Sequence, residues 1–150
     1  MDKRNVLLYT IARDIMVKTI QKVLSKYELY SRLKFELDEY ESDGLLGARW
    51  VYDVKDGISN YFVDIGPHSK RNSADERVAE GLSVQIYATT RARKFVGHET
   101  RVYDDLQDAV DRKVSRTFLY RNPWFLIHVP FSSILTVDDL SEPETLSELV

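Results

Sequence analysis

Between residues 5 and 28, apolar side chains recur at three- and four-residue steps: Leu8, Ala12, Ile15, Met16, Ile20, Val23, Leu24 and Tyr27. That spacing lays them on one stripe of an α-helix. Arg13, Asp14, Lys18, Gln21, Lys22 and Ser25 fill much of the remaining surface. Gly and Pro are absent from the segment, so a long, unbroken N-terminal helix is predicted. The stripe drifts around the axis, as expected for a helix crossing a curved sheet.

The period then changes. In Leu33-Lys34-Phe35-Glu36-Leu37-Asp38, apolar and charged residues alternate, which predicts a strand with one buried face. A turn at Ser42-Asp43-Gly44 follows. Residues 48–55 and 58–65 are alternating runs on either side of Asp56-Gly57. Asp-Gly between two such runs favours a two-residue type I′ hairpin. The turn dictates a register: Lys55 opposite Ile58, Tyr52 opposite Tyr61, Trp50 opposite Val63 and Ala48 opposite Ile65. The same register sets Arg49 against Asp64 and Asp53 against Asn60, so opposite charges and paired aromatics fall into line.

Beyond the hairpin, residues 66–73 read as a polar loop and residues 75–80 as a short helical turn ending at Gly81. Leu82, Val84, Ile86 and Ala88 alternate into a strand, and residues 95–103 are expected to be its antiparallel partner. Asp104 is placed to cap a second helix near 104–120, with Gln107 completing a capping box. The inward stripe of that helix is Leu106, Ala109, Val110, Lys113, Val114, Thr117 and Phe118, and Asn122-Pro123 ends it. Residues 124–129, Trp-Phe-Leu-Ile-His-Val, read as a buried strand. The predicted fold is a two-layer α+β domain over residues 1–136, with a mainly antiparallel sheet of about five to six strands and both helices on one face.

Composition narrows the chemistry. The chain has 150 residues, 43% apolar and 30% charged, enough for a sizeable core. The net charge is −3, which excludes a strongly basic nucleic-acid coat. The absence of Cys excludes disulfides, thiolate zinc sites, iron–sulfur clusters and Cys nucleophiles. Residues 137–150 hold five acids and no Lys or Arg, and are read as an acidic C-terminal tail beyond a domain of net charge +2. Leu140, Leu146, Leu149 and Val150 give that tail an amphipathic character. No apolar run reaches the length of a membrane span or a secretory leader, so a soluble, cytoplasmic protein is expected.

No phosphate-binding glycine loop, nucleophile elbow or paired-His metal motif occurs, and no cofactor is expected. His68, His98 and His128 are far apart in sequence, and His128, inside an apolar run, reads as a hydrogen-bonded core residue. Asp43 with Asp53-Val54-Lys55 is similar to the acidic-and-lysine pattern of Mg²⁺-dependent nucleases. The match is set aside. Such triplets arise by chance, Asp111-Arg112-Lys113 is another, and the hairpin makes Asp53 and Lys55 its solvated side.

Lys70, Arg71, Arg91, Arg93, Lys94 and Arg101 are the candidate contacts for nucleic acid or another anion, with Tyr87, Phe95 and Tyr103 interleaved for stacking on single strands. Val51, Ile58 and Phe62 fall on the sheet face away from the helices, among Arg49, Asp53 and Asp64. An apolar centre with a charged surround resembles an interface. The sequence therefore favours a non-catalytic interaction or assembly module, either a homo-oligomer or the mate of a protein partner. Nucleic-acid binding or processing is the alternative.

Overall fold

The structure, a computed structural model, describes residues 3–39, 45–53, 60–89, 94–100, 105–120 and 123–135. The element order is α1 (Lys3–Leu24), β1 (Lys34–Glu39), β2 (Leu46–Asp53), β3 (Asn60–Arg71), β4 (Arg77–Thr89), β5 (Lys94–Thr100), α2 (Leu106–Tyr120) and β6 (Pro123–Pro130). Short 3-10 turns follow α1 at Glu28–Arg32 and β6 at Phe131–Ser133. The strands form a six-stranded sheet in the order β1-β2-β3-β4-β6-β5, antiparallel except between β5 and β6. This is the α+β architecture that the sequence predicts.

The long helix fully buries Ala12, Met16, Ile20, Val23 and Leu24 of its expected stripe, and Tyr9, which that stripe does not include, while Leu8 and Ile15 are only half-buried. It stops at Leu24, where Lys26 and Tyr27 donate to carbonyls three residues back, Val23 and Leu24. Tyr27 leaves the stripe to join α2, its hydroxyl 2.6 Å from Ser115 Oγ and its ring edge-on to Phe118. At the other end, Tyr9 and Arg13 both donate to the Leu46 carbonyl, which pins α1 to the start of β2. The second helix buries Val110, Val114 and Thr117. Its cap is Asp105, not Asp104: the Asp105 carboxylate accepts from the Asp108 amide at 2.9 Å.

The β2–β3 register is the predicted one, including Ala48↔Ile65, Trp50↔Val63, Tyr52↔Tyr61 and Arg49↔Asp64. The Asp56-Gly57 turn and the Lys55–Ile58 pair lie outside the described residues. Both helices cover the face carrying Trp50, Val63, Ile65, Val84, Ile86, Phe125 and Ile127.

Three local expectations are corrected. Residues 66–73 are not a loop, because β3 continues to Arg71 and β4 begins at Arg77, which excludes the helical turn at 75–80. This hairpin arm shows solvent on much of both faces, so its alternation is polar against polar and leaves no hydrophobic signature. Its turn is held by Asn72 Oδ1, which accepts from the amides of Ala74 and Glu76, while Asp75 adopts φ 60°. Third, β5 does not pair with β4. Helix α2 joins β5 to β6, and a strand–helix–strand connection returns the chain parallel, so β6 sits between β4 and β5.

A bulge and a side chain finish the arm. His68 pairs with Gly81 and Ser69 with Ala79, leaving Glu80 as the extra residue. The Asn5 amide then takes the place of a neighbouring strand: it donates to the Ala79 carbonyl at 2.7 Å and accepts from the Ala79 amide at 2.9 Å.

Candidate functional site

Strand alternation sends every second residue to the face that no helix covers. The registers line these residues into rows across the whole sheet. One row runs Lys34, Val51, Phe62, Tyr87, Trp124, Phe95 from β1 to β5. The next runs Glu36, Arg49, Asp64, Gln85, Leu126, His98. The first is apolar or aromatic on every strand except β1; the second is mostly polar.

The polar row is internally matched. Arg49 Nε lies 2.8 Å from Asp64 Oδ1, and the Tyr87 hydroxyl donates to Asp64 Oδ2 at 3.0 Å. Trp124 Nε1 donates to Gln85 Oε1 at 2.9 Å. The Asp64 carboxylate raises the Arg49 guanidinium pKa above its ordinary value against the opposing effect of partial burial, with smaller help from Tyr87 and Glu36. The indole of Trp124 is flanked by Phe95 at 4.6 Å and Tyr87 at 6.4 Å between ring centres. Polar heads are thus spent on neighbours, while aromatic bodies remain half-exposed. Beside the ion pair lies a depression of about 180 Å³, lined by Glu36, Asp38, Gly47, Arg49, Asp64 and Gln85.

Of the sequence-predicted interface residues, Val51 and Phe62 are direct cross-strand partners on this face and Val51 is half-buried. Ile58 lies outside the described residues, and Phe62 is described by its backbone position alone. Of the predicted anion contacts, Lys70 is paired with Glu80 at 2.9 Å, and Arg71 donates to the Asp75 carbonyl at 2.9 Å with the Asp75 carboxylate nearby. Arg91, Arg93 and Arg101 lie outside the described residues, and Lys94 contributes its place at the start of β5. Asp43 and Lys55, two members of the carboxylate–lysine trio, lie outside them too. Asp111 of the second such triplet lies within α2, where Lys26 and Tyr27 bind it.

One grouping has no signal in the linear chain. His128 is not a core residue: it is half-buried on the open face, its ring stacked on His68 at 3.8 Å and 19°. The His68 Nε2 atom lies 3.3 Å from Glu80, which also holds Lys70. Residues 68 and 128 meet only because β4 separates β3 from β6 and the bulge turns Glu80 toward them.

Among the described residues, no group of three or more His, Asp or Glu is placed to hold a metal ion, and no helix is long and apolar enough to cross a membrane. No protein family, curated protein or solved structure matches the chain.

Proposed function

We propose that this chain is a non-catalytic assembly module that self-associates through the open face of its sheet. The observation that carries this reading is the continuous apolar row Val51–Phe62–Tyr87–Trp124–Phe95, crossing five strands beside a polar row in which Arg49 and Asp64 already pair with each other. Covering the centre of this surface removes apolar area from water while the Arg49–Asp64 pair keeps its partner. The ion pair and the tied Tyr87 and Trp124 heads also fix side-chain positions in advance, so association loses little rotamer freedom. The basic arm supports nucleic-acid binding less well, because Lys70 and Arg71 face carboxylates of the same arm.

The test is hydrodynamic mass with a face variant. Wild type is expected to run above 17.5 kDa, and Phe62→Glu is expected to lower the associated mass by sedimentation while staying folded by circular dichroism. Wild type that stays monomeric at high concentration, yet binds single-stranded oligonucleotides at low salt, would replace this reading with the nucleic-acid one.

A further inference from the structure

The two edges of the sheet are built differently. At β5 the register slips between Phe95 and Gly97, which leaves Val96 as an extra residue and interrupts the ladder. At β1 nothing interrupts the ladder: Lys34 to Glu39 pair one for one with Val51 to Leu46, with no bulge and no proline. Neither helix shelters this strand. Helix α1 lies chiefly over β4 and β2, and α2 over β4 and β6, so Phe35 is 41% and Leu37 50% exposed although they point to the helix side. An exposed, regular edge with two large apolar residues is a template for another strand.

We propose that β1 pairs with β1 of a second copy, antiparallel about a two-fold axis through Glu36, joining the two sheets into one. Residues opposite each other in an antiparallel pair must share a face, so a self-pairing has few registers. The one centred on Glu36 sets Phe35 against Leu37 of the second copy, and Leu37 against its Phe35. On the open face it sets Lys34 against Asp38 twice over. The alternating charges that would repel a foreign strand are thereby matched in a copy of the same strand. Gly47, the intramolecular neighbour of Asp38, leaves space beside that pair. The one mismatch is Glu36 against itself, flanked in each copy by Arg49.

The inference rests on the reading of the chain as a self-associating module, but it uses a different surface from the open face. Sedimentation velocity on the full chain separates the two. Lys34→Asp and Asp38→Lys are each expected to weaken association about tenfold, and the double variant to restore it to within about threefold of wild type. Glu36→Gln is expected to tighten the edge step by removing the like-charge contact, and Leu37→Lys to abolish that step while association through the open face remains. All are exposed positions, so folding is checked by circular dichroism and is expected to persist. Single charge variants without effect, or a double variant no better than the singles, in a wild type that self-associates would overturn the β1 pairing and leave the open-face reading standing. Loss of association in Leu37→Lys but not in Phe62→Glu would uphold the edge and reject the face. A monomeric wild type would overturn both.

Discussion

Trp50 and Trp124 stand on opposite faces of one sheet, and the contrast between them separates what holds the fold from what the fold displays. Trp50 is 1% exposed beneath the helices, in a cluster with Val63, Ile65 and Val84. Trp124 lies half-buried on the uncovered side, its ring nitrogen bound to Gln85 and its faces against Phe95 and Tyr87. On the covered face, stability comes from apolar area withdrawn from water. On the open face, matched polar contacts hold aromatic surface in a fixed pattern and contribute little to folding. The same strands serve both ends because alternation lets neighbouring residues answer to different demands.

The largest test of that division is Trp50→Ala, expected to cost about 4 kcal/mol in chemical denaturation. A cost near 1 kcal/mol would break it. Gly81→Ala comes next, at about 3 kcal/mol. Gly81 faces the open side, yet a methyl group there would strike the Val129 carbonyl and lie 2.9 Å from Pro130 Cα, so the close β4–β6 approach excludes any side chain. Asn5→Ala strands the Ala79 amide and carbonyl and is expected to cost about 2 kcal/mol, with faster hydrogen exchange in the arm beyond the bulge. Trp124→Phe, which gives up the Gln85 hydrogen bond, is expected to cost about 1 kcal/mol of stability while weakening self-association measurably. The smallest effect is reserved for Arg49→Ala, about 0.5 kcal/mol, because the guanidinium is half-exposed despite its short contact to Asp64. A larger loss at Arg49 than at Asn5 would show that the open face carries the fold after all.

How far the chain could be read in advance followed where water lies. The β2–β3 pairing was legible because one face of each strand is buried, so a one-residue slip would exchange Trp50 for Arg49. The hairpin arm was illegible for the converse reason: where both faces meet solvent, a strand from His68 to Arg71 has the composition of a loop. The parallel β5–β6 pair was missed because the local pattern shows only that a strand exists, whereas its neighbour depends on where α2 returns the chain. With acids at both 104 and 105, the sequence places the cap one residue early, at Asp104, and hydrogen bonding to the Asp108 amide assigns it to Asp105. Of the open face, Val51 opposite Phe62 and Arg49 opposite Asp64 followed from the hairpin register. The Tyr87–Trp124–Phe95 continuation and the His68–His128 stack did not, since each requires β6 to lie beside β4.

The most direct test is sedimentation equilibrium of the wild-type 150-residue chain over a wide concentration range. The account predicts a mass that climbs from 17.5 kDa toward at least twice that value, and a Phe62→Glu, Leu37→Lys double variant that keeps its native circular dichroism but remains at 17.5 kDa. A wild-type mass fixed at 17.5 kDa up to the highest concentration reached would contradict it.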